Sequence, residues 1–198
     1  RVVRDIPREI DGLDCVTVIV VDDGSTDRTR ECALLAGADV VVSLKAHCGL
    51  ATAFHVGLNT ALELGADIIV NLDADYQYLP SEIPQLIAPI LEAKADIVVG
   101  DRQTDKVNEF SKMKKILQRL GSEVVRRLAR IEHPIDAVSG FRAFNREAAL
   151  KLNVVTRFSY TTETIIQAAE KGMAIVSVPV SRNHTTRDSR LFRSNWEH

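Results

Sequence analysis

Three stretches of the chain repeat one pattern of apolar and polar positions: GADVVVS from Gly37, GADIIVN from Gly65 and KADIVVG from Lys94. They are spaced by 28 residues (37 to 65) and then 29 (65 to 94). Each follows a helix-like stretch and places three β-branched apolar residues after an Asp. That is the signature of a helix C-terminus, a short loop and a buried strand. VTVIVV from Val16 and MAIVSVPV from Met173 read as further strands. Between them the pattern predicts helices over STDRTRECALLAG, with a Ser/Thr/Asp cluster suited to capping, and over GLATAFHVGLNTALELG. PSEIPQLIAPILEAK starts a helix at Pro80 and Ser81, and Thr161 to Lys171 forms the helix before the last strand. Residues 111–130 are the clearest amphipathic segment. Met113, Ile116, Leu117, Leu120, Val124, Val125 and Leu128 share one face, and seven basic residues and Glu123 lie elsewhere.

Strands apolar on both faces that alternate with helices predict an α/β fold, a mostly parallel open sheet with helices on both faces. In such sheets ligands bind beyond the carboxyl ends of the strands. The 198 residues suffice for a single domain over 1–198. The net charge of −2 argues against nucleic acid as a partner. Three unclustered cysteines argue against a disulfide framework or a zinc site and point to a reducing compartment. Of the five histidines, His47, His55, His133 and His184 show no metal-ligand spacing together. No apolar run is long enough for a transmembrane helix, and no signal peptide is present. The chain begins RVVRDIPREI and ends SNWEH, which reads as a fragment trimmed at both ends.

Two acidic motifs fall at predicted strand ends. In VIVVDDGSTD, Asp22 and Asp23 are followed by Gly24 and Ser25. An Asp there accepts hydrogen bonds from a ribose or a base, or merely shapes a turn and caps the next helix. In NLDADYQYLP, Asp73, Asp75 and Gln77 place oxygen-bearing side chains at alternate positions. Oxygen ligands suit Mg²⁺ or Mn²⁺, and a dication would offset the repulsion between the carboxylates. The bland alternative is a loop in which both acids face water. Downstream, IDAVSGFRAF puts Asp136, Ser139, Gly140 and Arg142 in a polar loop. Arg102 in VVGDR, and Arg187 and Arg190 in HTTRDSRLF, suit phosphate or lie on the surface.

VVDDGSTDRT, CGLATAFHVGLNTALELGAD, NLDADYQYLP, VVGDR, DAVSGFRAF and TTRDSRL, in that order, resemble the family 2 glycosyltransferases of the GT-A (Rossmann-like) fold. Within these the chain is most similar to dolichol-phosphate mannosyltransferase and its polyprenyl-phosphate relatives. The resemblance implies an inverting transfer of a hexose, mannose or glucose, from a GDP- or UDP-sugar to a polyprenyl or dolichyl phosphate. By it, Asp22 and Asp23, with the Gly24–Ser25 turn, meet the nucleotide. Asp73, Asp75 and Gln77 hold Mg²⁺ or Mn²⁺ against the donor diphosphate. Arg102 and Arg187 meet phosphate, Asp136 and Ser139 lie toward the acceptor end, and Ser139 and Arg142 count among the residues that bind the donor. Of these Asp136 is a weak candidate base, because a phosphate acceptor is already ionised. The implied location is the cytoplasmic side of a membrane, peripheral or anchored by segments outside these residues. The basic helix at 111–130 then either lies on the membrane surface or packs on the sheet.

The sequence departs from the family in three places. It starts after the point where a Pro-x-Tyr-Asn-Glu-like first strand would lie. It has His47, Cys48 and Gly49 where Asn often precedes the glycine, and it ends just past the Arg187 block. Other readings are a transferase acting on a sugar hydroxyl, which needs a proper base, and a Mg²⁺-binding receiver module, which leaves SGFRAF and TTRDSRL unexplained. A haloacid-type phosphatase fails because Val21 stands where its nucleophilic Asp belongs.

Overall fold

The computed structural model describes residues 1–102, 123, 135–156 and 160–183. The strands are β1 (Ile19–Asp22), β2 (Val40–Ser43), β3 (Ile68–Asn71), β4 (Ile97–Asp101), β5 (Arg142–Asn145) and β6 (Ile175–Pro179). The helices are α1 (Val2–Asp5), α2 (Thr29–Leu35), α3 (Leu50–Glu63), α4 (Ile83–Leu91), α5 (Arg146–Lys151) and α6 (Thr161–Glu170). A 3₁₀ turn over Pro80–Glu82 leads into α4, as the proline at its start requires. The Asp27 carboxylate accepts the Thr29 N–H at the start of α2.

Each of the three repeated Ala-Asp segments runs into a strand, and β1 and β2 pair in parallel. The remaining strands form a sheet in the order β3-β5-β4-β6, with β4 and β6 parallel. β5 corrects the expectation that SGFRAF is wholly a polar loop: Arg142–Asn145 pairs antiparallel with both β3 and β4. Because β5 is reversed, its first residue, Arg142, sits opposite Asn71 and Val99. Residues 135–141 are thereby delivered to the carboxyl ends of β3 and β4.

Two apolar layers cover this sheet. Ile97, Val99 and Phe144 face Phe54 and Leu58 of α3 and Ile165 and Ala168 of α6. Val98, Ala143 and Val178 face Ile83, Leu86 and Ile87 of α4, with Ile6, Ile10 and Leu13 packed partly against them. Ile97 to Val99 have no exposed surface. In contrast, β2 contains no fully buried residue, so the β1–β2 ladder is less covered than the pattern of β-branched residues predicts. The segment over 111–130 lies outside the described residues, apart from Glu123, which is helical. Among the described residues no helix is long and apolar enough to cross a membrane.

Candidate active site

β3 carries the chain to Asp73, and the neighbouring elements close around its carboxylate. The backbone at Gly140 passes directly over it: a Cβ at Gly140 would lie 2.7 Å from Asp73 Oδ2. Only glycine permits that approach. Gly140 is held in place by Asn71, whose Nδ2 donates to the Gly140 carbonyl at 2.8 Å and to the Tyr160 hydroxyl at 2.7 Å. The Tyr160 ring stacks on Phe54 with centroids 3.8 Å apart. Among the described residues the Asp73 carboxylate accepts no hydrogen bond. Burial, and after it the charge of Asp75, push its pKa up to about 6, with Arg102 pulling the other way.

Asp75 is exposed, and its Oδ1 accepts the Gln77 N–H at 2.8 Å. That bond closes a turn in which Tyr76 adopts a left-handed backbone conformation, φ 63°. Gln77 differs from its expected role as a third metal ligand. With its amide oriented to satisfy both ends, its oxygen accepts from Arg182 Nε at 2.7 Å and Nη2 at 3.3 Å. That oxygen is therefore already engaged by a guanidinium.

Arg102 and Asp136 form a two-pronged pair, Nε to Oδ2 at 2.6 Å and Nη2 to Oδ1 at 2.9 Å, with side chains 9% and 7% exposed. Both oxygens of the candidate base are therefore engaged. Ser139 and Arg142, expected to meet ligand, are instead framework. Both are fully buried, and the Ser139 hydroxyl shares a hydrogen with the Tyr78 hydroxyl at 3.1 Å. Arg142 donates to the carbonyls of Ala137 and Ser139 at 2.8 Å each, to the Thr161 carbonyl, and to Thr164 Oγ1 at 2.7 Å. Burial pulls its pKa down to about 10. The physical reason is its position in a central strand, where a guanidinium survives only if carbonyls surround it.

The first acidic motif builds a separate network. Asp22 is buried and its Oδ1 accepts the Ser25 N–H at 3.0 Å, while Ser25 itself is exposed. Asp23, expected to meet the nucleotide, also holds the loop before α3. Its carboxylate accepts the N–H groups of Cys48 at 2.7 Å and Gly49 at 2.9 Å and pairs with His47 Nδ1 at 2.8 Å. It thus clamps the loop that opens α3, where the uncapped N–H groups of a helix favour an anion. Gly24 lets this happen, with φ 74° and a hypothetical Cβ 2.5 Å from the Ala46 carbonyl carbon. We expect Gly24→Ala to destabilise the fold by roughly 2 kcal/mol or more, measured by urea unfolding.

Arg187, Arg190 and His184 lie outside the described residues. Among those described, the groups brought together at the ends of β3 and β4 are Asp73, Asp75, Arg102, Asp136 and Gly140. Asn71, Tyr160 and Arg182 join them without having stood out in the sequence. The donor set fits a hard dication: two carboxylates, one of them half-buried and without a hydrogen-bond donor among the described residues. No group of three or more His, Cys, Asp or Glu side chains among the described residues forms a complete cage. Mg²⁺-type sites use one or two carboxylates plus phosphate oxygens of the substrate.

The Glycosyl transferase family 2 model matches residues 11–152. The chain is 33% identical over 174 residues to an uncharacterized protein of Methanocaldococcus jannaschii, covering 85% of this chain and 70% of the relative. It is 33% identical over 169 residues to glycosyltransferase AglJ of Haloferax volcanii, covering 83% of this chain and 53% of AglJ, so it spans about half of that protein. Glucosyl-3-phosphoglycerate synthase from Mycobacterium tuberculosis, solved with phosphoglyceric acid, superposes with a TM-score of 0.74 at 25% identity, covering 94% of this chain and 67% of that one. The same enzyme solved with Mn²⁺, UDP and glucosyl-3-phosphoglycerate gives 0.71, with the same identity and coverage. The mixed sheet with helices on both faces and the match over most of its length agree: this chain belongs to glycosyl transferase family 2, with the GT-A fold.

Proposed function

We propose that this domain transfers a hexose from a GDP- or UDP-sugar to a polyprenyl phosphate, with inversion, using Mg²⁺ or Mn²⁺ held by Asp73 and Asp75. The observation that carries the reading is the Asp73 carboxylate. It is sequestered at a strand end, lacks a hydrogen-bond donor among the described residues and is repelled by Asp75. A divalent ion there would neutralise charge on a departing nucleoside diphosphate. The glucosyl-3-phosphoglycerate synthase solved with Mn²⁺ and UDP supports that assignment by likeness.

The engagement of Asp136 supports the choice of acceptor. A sugar hydroxyl has to lose a proton as it attacks, which calls for a base. Asp136, the candidate base, holds Arg102 with both oxygens. A phosphate monoester arrives already ionised, so the remaining tasks are positioning and leaving-group stabilisation. Arg102, fixed by Asp136 beside Asp73, contributes positive charge to the same end of the sheet. A lipid phosphate also places the reaction at a membrane surface, on the cytoplasmic side where nucleotide sugars are made.

The test is a transfer assay with GDP-mannose, GDP-glucose and UDP-glucose against polyprenyl phosphate, the matching prenol and phosphoglycerate, with Mn²⁺ or with EDTA. We expect product only from the lipid phosphate and only one donor base to serve, with EDTA lowering the rate at least about 100-fold. Product from prenol or phosphoglycerate but none from the lipid phosphate would replace this acceptor with a hydroxyl.

A further inference from the structure

The chain that leaves β6 does not turn away from the sheet. It runs across the acidic turn and bonds to it at successive residues. Val180 N–H donates to the Asp101 carbonyl at 2.9 Å, tying this segment to the end of β4. Ser181 N–H donates to both oxygens of Glu82, at 3.0 and 2.9 Å. Arg182 forms an antiparallel bridge with Tyr78 and donates its guanidinium to the Gln77 amide oxygen. Asn183 donates its N–H to the Gln77 carbonyl at 2.9 Å and its Nδ2 to the Tyr76 carbonyl at 3.3 Å.

These bonds converge on the one residue in the turn whose backbone is unfavourable. Tyr76 sits at φ 63°, a region that bulky residues avoid. Asp75 precedes it directly, and the Asp75–Gln77 bond spans it. On the opposite side the Tyr76 hydroxyl donates to Asp5 and the Arg1 guanidinium lies 4.2 Å from its ring centroid. The side chain is held from the N-terminal side, and the carbonyls of Tyr76 and Gln77 are held from 181–183.

We infer that residues 181–183 are a strap that sets the geometry of the acidic turn, with Arg182 and Asn183 acting as positioning residues for the cation site through Tyr76 and Gln77. The inference rests on the proposed metal site at Asp73 and Asp75. Charge alone predicts the opposite effect of losing Arg182: removing a positive group near a cation site tightens cation binding. Positioning predicts weaker binding, because partners that orient ligands typically contribute about 10- to 100-fold to metal affinity.

The test is Mn²⁺ binding to the full chain, followed by the electron paramagnetic resonance signal of free Mn²⁺, with UDP or GDP present. The variants are Asp75→Ala, Arg182→Ala, Arg182→Lys and Asn183→Ala, each checked for a wild-type near-UV circular dichroism spectrum. We expect Asp75→Ala to abolish binding. Arg182→Ala and Asn183→Ala should each raise the Kd about tenfold, with Arg182→Lys in between. If Asp75→Ala loses Mn²⁺ while Arg182→Ala and Asn183→Ala bind it as tightly as wild type or tighter, the strap is overturned and the metal site stands. If wild type binds no Mn²⁺ with either nucleotide, both fall. Should Asn183→Ala fail to fold, the contrast between Arg182→Ala and Arg182→Lys decides alone.

Discussion

Asp73→Asn is expected to stabilise the metal-free protein while removing metal-dependent transfer. The reason is the direction in which Asp73 is shifted. Its pKa stands near 3.8 in an unfolded chain and about 6 in the fold. The folded state therefore binds the proton more tightly, and stability falls as pH rises through that window. At pH 7 the wild type carries the full penalty of a half-buried, repelled charge, on the order of 2 kcal/mol. The Asn variant carries none. Urea unfolding in EDTA should show the variant ahead at pH 7 and the two converging by pH 4. Mn²⁺ and the proton compete for the same oxygens, so wild-type Mn²⁺ affinity should drop about tenfold per pH unit below about 6. Transfer by the variant should fall at least about 100-fold. Parallel stability profiles for the two proteins would mean that Asp73 is not the strained charge at this site.

What the sequence disclosed and what it hid divide along one line. Features governed by neighbours in the chain were legible. The β-branched runs after each Ala-Asp became β2, β3 and β4, and Pro80 marked the start of a helical segment. The two acidic motifs lie at strand ends, as the pattern required. Features governed by distant partners were not. Arg142 looked like a loop residue because a charged side chain in a four-residue strand defies the apolar pattern, and two of the groups that relieve it, at Thr161 and Thr164, are 19 and 22 residues away. The loop-holding part of Asp23 was hidden because its partners at 47–49 are a separate segment, 25 residues on. Gly140 drew notice as part of SGFRAF, but its need to be glycine depends on a carboxylate from β3. Arg182 carried no signal, since its contact with Gln77 comes from the sheet bringing β6 and the acidic turn to one end.

The Arg102–Asp136 pair should couple stability and acceptor chemistry in a way that separates the two candidate acceptors. Asp136→Ala leaves a guanidinium that is 9% exposed without its two-pronged partner, and breaking such a pair costs about 3–5 kcal/mol. Replacing both members with apolar groups avoids the stranded charge. Asp136→Ala combined with Arg102→Met should therefore be more stable than Asp136→Ala alone, and urea unfolding of the cycle measures the difference. For activity the informative change is Asp136→Asn, which keeps the shape and one acceptor for Arg102. If Asp136 took a proton from a sugar hydroxyl, that variant would lose turnover while binding donor normally. If its work is to hold Arg102, transfer to polyprenyl phosphate should persist at a temperature where the variant is folded, reduced by roughly tenfold. A pH–rate profile makes the distinction independent of expression level. A base at Asp136 would give wild type an acidic limb that Asp136→Asn lacks, whereas a positioning role leaves that limb in place because it belongs to the ionisation of the metal site and the phosphate.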